Sequence, residues 1–302
     1  MEDMITGLCP QCGHTLHIPA ELASFSCMYC GARLTKEQLA AEPPAAPEAD
    51  EDRAAYYDRA VSRLGWCIKN FGGYQKKIMR DVFFEAFETY ETGCAPVIQE
   101  LARGVAPEQQ TQLLGRAAAA MLDELEAGWQ KKGDMEDEKI VLAIFFVPMV
   151  RKQQLPISEE FVTILQKQWV ERYPKSPFYL GDYESISGGF RKKFLGLCFI
   201  TTAVCQELGK PDGCEELTAF RAFRDGYLRS QPDGEALIRE YYNIAPGIVT
   251  CINTCSDRHA SYARIREEYL APCYQDLLAG RNESCKARYV RMVRDLEREY
   301  LS

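Results

Sequence analysis

The chain has 302 residues, 46% of them hydrophobic, and a formal charge of −8, which is enough apolar material to bury a core in one large domain or two ordinary ones. Residues 1–36 carry two basic and three acidic groups and residues 37–58 carry one basic and seven acidic, so the rest of the chain holds only −1. That distribution excludes the broad basic field that attracts a phosphate backbone, and it argues for protein rather than nucleic acid as the partner.

Met1-Glu2-Asp3-Met4 offers neither a basic n-region nor an apolar run, so no secretory leader is expected and the chain reads as cytoplasmic. Two Cys-x-x-Cys-Gly turns follow, Cys9-Pro10-Gln11-Cys12-Gly13 and Cys27-Met28-Tyr29-Cys30-Gly31, separated by the fourteen residues from Gly13 to Ser26. Each pair brings two sulfurs to one edge of a tetrahedron, and the glycine after the second cysteine allows the positive φ of the turn. Cys9, Cys12, Cys27 and Cys30 are therefore expected to hold zinc in a closed shell, with His14 and His17 as spare donors. Between the pairs, Thr15-Leu16-His17-Ile18 alternates like a strand, with Leu16 and Ile18 facing inward and His17 facing water. Residues 1–36 thus read as a zinc ribbon whose folding energy comes from its metal.

From 37 to 52 the composition turns to Ala, Pro and Glu, the pattern of a flexible linker. Beyond it nearly every segment has helical periodicity, giving a mainly all-α helical body over 53–190 and 191–302, expected to pack together, with a small N-terminal β ribbon. Gln75–Glu91 carries a stripe of Ile78, Val82, Phe83, Ala86 and Phe87, and Gln109–Lys132 follows Pro107. Asp134 opens the helix containing Ile140–Val150, an eleven-residue apolar run well short of the roughly 20 needed to cross a bilayer. Ser158, Glu159 and Glu160 start a helix that stops before Pro174, and Tyr173–Gly189 reads as a loop. Phe190–Leu208 is ambiguous. Helices are expected over Cys214–Leu228, Gly234–Asn243, Ile248–Cys255, Asp257–Ala279 and Asn282–Leu301, with Pro246 resetting the chain and Gly280 as a C-cap.

The series Cys198-Phe199-Ile200-Thr201-Thr202-Ala203, Leu217, Phe223-Arg224-Asp225, Gly234, Tyr241-Tyr242 and Pro246 resembles the CFI-box C-terminal domain of bacterial proteins, over about residues 195–255. The sequence departs from the commoner form in having Val204-Cys205-Gln206 where Ala-Tyr-Gly often stands. The resemblance implies a bacterial protein and carries no reaction with it.

Thirteen cysteines without a leader read as metal ligands and buried thiols. Cys198 is the one candidate nucleophile, with His259 as base and Asp257 as its orienter, and Arg191-Lys192-Lys193 upstream. Its apolar neighbours Phe194, Leu195, Leu197, Phe199 and Ile200 point instead to a buried thiol. A second metal site drawn from Cys198, Cys205, Cys214, Cys251, Cys255, Cys273, Cys285 and His259 is a further option on spacing alone. Arg224 reads as a buried pin for the box neutralised by Asp225, or with Arg221, Lys192 and Lys193 as an anion site, while Tyr241 and Tyr242 are expected on different sides of their helix. The sum points to a binding protein whose ribbon and helical body offer two surfaces, with a Cys198 hydrolase or acyl-transfer enzyme as the alternative.

Overall fold

Two short antiparallel hairpins open the computed structural model, which describes residues 4–11, 15–39, 50–191 and 198–302. Strand β1 (Met4–Leu8) pairs with β2 (Thr15–Pro19), and β3 (Ser24–Ser26) pairs with β4 (Arg33–Thr35). The alternation of β2 buries Leu16 and Ile18 and exposes His17. These side chains meet Leu34, Cys9, Cys27 and Leu39, with Ile5, Phe25 and Ala32 packed against them.

Leu39 belongs to a short helix, α1 (Lys36–Leu39), whose carbonyl lies 2.3 Å from where a Cβ on Gly7 would stand, so only glycine admits the helix at β1. The ribbon thus runs past residue 36, because its small core needs the Leu39 side chain. The linker read over 37–52 begins inside α1 and ends inside α2 (Asp50–Leu64), and its residues 40–49 lie outside the described ones.

The chain divides into two units, Met1–Arg53 and Ala54–Ser302. The second is helical throughout. After α2 come α3 (Trp66–Lys69), α4 (Phe83–Gly104), α5 (Gln110–Gly128), α6 (Lys132–Val141), α7 (Val147–Lys152), α8 (Ser158–Arg172), α9 (Tyr183–Arg191), α10 (Phe199–Glu207), α11 (Glu215–Ala222), α12 (Gly234–Cys255), α13 (Arg258–Ile265), α14 (Ala271–Leu278) and α15 (Asn282–Tyr300). Three π-helical turns, Leu142–Phe146, Phe223–Leu228 and Arg266–Leu270, join α6 to α7, extend α11, and join α13 to α14. None of the described helices is long and apolar enough to cross a membrane.

One hydrophobic core runs through this unit from Tyr57 to Leu301. At its centre Phe83 stacks on Phe190 at 4.3 Å between centroids, and Phe87, Tyr90 and Phe145 close the aromatic set. Fully burying such a ring stabilises the fold by on the order of 2–3 kcal/mol. The segments on either side of residue 190 share the core and are tied through the backbone, Arg80 N–H to Asn243 O at 3.0 Å and Tyr179 N–H to Thr254 O at 2.8 Å.

The apolar run from Ile140 to Val150 is buried, as expected, and Gly280 takes φ +71° after α14. Elsewhere the elements differ from the sequence reading. The helix read from Gln75 starts at Phe83, because Gly73 at φ +87° and Ile78 outside the helical region hold a 3-10 turn, Tyr74–Lys77, ahead of it. The one read as Gln109–Lys132 ends at Gly128, where Trp129 turns extended and donates its indole N–H to Glu138 at 2.7 Å. Part of the loop read as Tyr173–Gly189 is helix α9, started by Asp182 accepting the Ser185 N–H at 2.8 Å and held by buried Ile186 and Phe190. Pro246 does not reset the chain: α12 continues through it, because Tyr242, Ala245, Ile248 and Ile252 stay buried on both sides.

Candidate functional site

Cys9 follows β1, and Cys27 and Cys30 follow β3, so the two hairpins carry their cysteines to one end of the ribbon. The Cys27 turn is closed by Gly31 N–H to Cys27 O and Cys27 N–H to Ala32 O, both 2.8 Å, with Gly31 at the positive φ of 75°. The sulfurs of Cys9, Cys27 and Cys30 all lie within 4.8 Å of one another and could hold a metal ion. Cys9 and Cys30 are 3.7 Å apart, against about 3.8 Å for the sulfur–sulfur edge of a tetrahedron with metal–sulfur bonds of about 2.3 Å. That edge length fits sulfur ligation of a metal ion. Cys12 and His14 lie outside the described residues.

In the helical unit, the string Cys198-Phe199-Ile200-Thr201 forms the buried start of α10, where N–H groups lack helical acceptors. Four different contacts hold it. Arg224 Nη1 donates to Cys198 Sγ at 3.5 Å, Phe199 meets Tyr242 edge-on at 5.9 Å, Ile200 N–H donates to the Tyr241 hydroxyl at 3.0 Å, and Thr201 Oγ1 pairs with the Tyr289 hydroxyl at 3.1 Å. Arg224 sits in the π turn Phe223–Leu228 and also donates to the Tyr242 hydroxyl at 3.0 Å. Asp225 grips the guanidinium through two bonds, 2.8 Å from Nε and 2.6 Å from Nη2. Tyr241 and Tyr242 are both buried: Tyr241 lines the crevice between Cys198, the π turn and α15, while Tyr242 packs against Phe199 and Arg224.

Asp225 raises the Arg224 pKa by accepting its hydrogen bonds, and Arg224 in turn holds the Asp225 carboxyl below its ordinary value. Burial pushes the Cys198 thiol up, against the weaker opposing effect of the Arg224 charge. The cavity beside Cys198 is apolar and about 60 Å³, far below the ~300–1,000 Å³ of ligand clefts. Cys198 is thus a thiol only 4% exposed, at a packing junction.

His259 and Asp257 do not assemble with it. Asp257 is the N-cap of α13 and accepts the Ala260 N–H at 3.1 Å. His259, 81% exposed, pairs through Nδ1 with Glu207, which also holds Arg258 at 2.9 Å. Glu207 ends α10 and Cys198 precedes it, a separation of about 13 Å along a helix rising ~1.5 Å per residue. The Arg258–Glu207 pair instead edges a cleft of about 560 Å³ between α9, α10, α12 and α13, floored by Phe199, Pro246 and Val249. No short sequence motif marks that cleft, since four separate helices build it.

The remaining thiols form no second metal centre: among the described residues Cys9, Cys27 and Cys30 are the one cluster of three or more donors. Cys251 donates to Tyr300 O at 3.6 Å, and burial pushes the Cys251 and Cys255 thiols up. Cys205 and Cys214 touch at 3.8 Å. Of the anion-site alternative, Arg221 bonds Asp212 through its carboxylate at 2.7 Å and its carbonyl at 3.0 Å, and Arg224 is taken by Asp225. Lys192, Lys193, Phe194, Leu195 and Leu197 lie outside the described residues. The chain matches no protein-family model, no curated protein and no solved structure.

Proposed function

We propose that this chain is a bacterial, cytoplasmic zinc-binding adaptor, in which the ribbon and the helical unit are two surfaces for protein partners. Convergence of three sulfurs at the end of the ribbon carries the reading, with Cys12 as the fourth ligand that would close a zinc shell and leave no open position for chemistry. A closed site of this kind folds its module and shapes the turn it holds. That turn carries Met28 and Tyr29, 81% and 57% exposed. Large apolar side chains on a rigid, metal-held knuckle without net positive charge suit an apolar protein surface better than a phosphate backbone. The helical unit contributes the CFI-box region, about 195–255, as a second surface joined through the 40–49 segment, so that one contact raises the effective concentration of the other.

The test places a photo-crosslinking residue at Tyr29 of the full chain, expressed in bacteria, and identifies what it captures. The expected result is one dominant protein partner, lost when Cys27→Ser removes zinc as verified by elemental analysis. Equal capture by the zinc-free variant, or no protein crosslink from position 29, overturns the reading.

A further inference from the structure

Helix α10 ends in a tightly fixed connection to α11. Gly209 at φ +68° terminates it, with Lys210 N–H bonded to Cys205 O and Gly209 N–H to Gln206 O, both at 2.9 Å, the pairing of a Schellman cap. Pro211 then turns the chain, Cys214 N–H returns to Pro211 O at 3.0 Å, and Thr218 N–H to Cys214 O begins the next helix. Both thiols are therefore placed by backbone hydrogen bonds, and their sulfurs stand 3.8 Å apart.

The pair differs from the other close cysteines in access. Cys67 with Cys94, and Cys273 with Cys285, are neighbours sealed at 0% exposure. Cys205 is 2% exposed, but Cys214 is half-buried and reachable from solvent. No third donor stands with them among the described residues, so a metal does not account for the placement.

We propose that Cys205 and Cys214 are a two-electron oxidation site, which a hydroperoxide converts to a disulfide linking the end of α10 to the start of α11. Cys214 attacks the peroxide: its sulfur takes one oxygen to become a sulfenic acid, the O–O bond breaks, and the other oxygen leaves as water or alcohol. Cys205 then attacks the Cys214 sulfur, the S–O bond breaks, and the hydroxyl departs with the Cys205 proton as a second water. Two thiols lose two electrons and two protons in total, and the peroxide is reduced. Burial, reinforced by the Cys214 contact, pushes the Cys205 thiol up to about 12, so Cys205 is not the thiol that meets the oxidant first; its 3.8 Å contact with the Cys214 sulfur makes the second step intramolecular and offsets its low thiolate fraction. The bond would fasten together the two helices that carry the Cys198 box and lead to Arg224.

The test uses the full chain, reduced, exposed to excess hydrogen peroxide, then denatured and alkylated. Proteolysis after Glu207 separates the two cysteines in sequence. Expected are two peptides held together and released by reductant, two hydrogens lighter than the free pair, with alkylation lost at Cys205 and Cys214 and retained at Cys67, Cys94, Cys273 and Cys285. In Cys205→Ser, Cys214 is expected to give a dimedone adduct instead. Recovery of Cys205 and Cys214 as separately alkylated thiols, or of Cys214 as a sulfinic acid without the linked peptides, overturns the proposal. The wild-type measurement stands without any variant having to fold.

Discussion

Arg224 reaches Cys198 across the crevice at 3.5 Å while Asp225 holds the guanidinium from the other side, so a single buried cation joins the π turn to the start of α10. Removing it leaves the Tyr242 hydroxyl and the Cys198 sulfur facing a void. Arg224→Ala is expected to destabilise the helical unit by about 2–3 kcal/mol, below the full cost of breaking a buried pair because Asp225 is half exposed. Arg224→Lys should recover part of that loss without the two-bond grip on Asp225. Urea unfolding followed by circular dichroism measures both; a change under 0.5 kcal/mol, about the scatter of surface substitutions, would remove Arg224 as a pin.

Acid should reach the same junction. The Asp225 carboxyl is held below its ordinary value by Arg224, and that of Asp276 by Ser284, Arg281 and Arg288. A carboxylate whose folded pKa is depressed adds stability that is fully present above its unfolded value of about 3.9 and lost as pH falls through the folded value. Stability is therefore expected to fall below about pH 4, and to fall less steeply in Asp225→Asn and Asp276→Asn. Parallel slopes in wild type and variants would show that other groups govern acid unfolding.

Two glycines should respond oppositely to alanine. A Cβ on Gly247 would stand 1.8 Å from the Ile78 carbonyl oxygen, whereas one on Gly188, within α9, meets nothing within 4 Å. Gly247→Ala is expected to cost about 3 kcal/mol or more through backbone displacement, and Gly188→Ala to gain about 0.5–1 kcal/mol from helix propensity. Thermal melts of the two proteins would reveal the contrast; a neutral Gly247→Ala would mean that α12 does not approach Ile78 so closely.

Cys198 should be slow to react. With its thiol buried and its pKa raised, iodoacetamide at neutral pH is expected to label Cys214 well before Cys198, and His259→Ala should leave the Cys198 rate unchanged. Peptide mapping with time gives the order. Rapid, His259-dependent labelling of Cys198 would restore the nucleophile reading.

Zinc removal should act locally. A strong chelator is expected to release about one zinc per chain and to collapse the amide resonances of β1 to β4 while those of α4, α8 and α12 keep their positions. Collapse of both sets would show that the helical unit depends on the metal.

The Cys-x-x-Cys-Gly spacing made the cluster of Cys9, Cys27 and Cys30 legible because its turns are local, and the period of the apolar residues did the same for α8 and α15. The start of α9 was hidden by Gly and Ser, whose weak propensity is overridden by the docking of Phe190 on Phe83. Continuity of α12 through Pro246 was equally hidden, since burial on both sides outweighs the missing N–H. At the junction, the expectation of a buried Arg224 neutralised by Asp225 agrees with the structure, but the tyrosine partners do not follow from sequence: Arg224 donates to Tyr242 18 residues on, Ile200 to Tyr241 41 residues on, and Thr201 pairs with Tyr289 88 residues on. Pairing of His259 with Glu207 rather than Cys198 has the same cause, because a nine-residue helix places the two ends of its own sequence far apart.

Because Cys198, Ile200 and Thr201 fasten in turn to the π turn, α12 and α15, they behave like consecutive teeth of one key. Inserting a single residue between 198 and 200 would swing the later teeth about 100° around the α10 axis and disengage them together. Length in this stretch is therefore constrained more tightly than composition: a swapped side chain weakens one tooth, whereas an added residue misaligns the set.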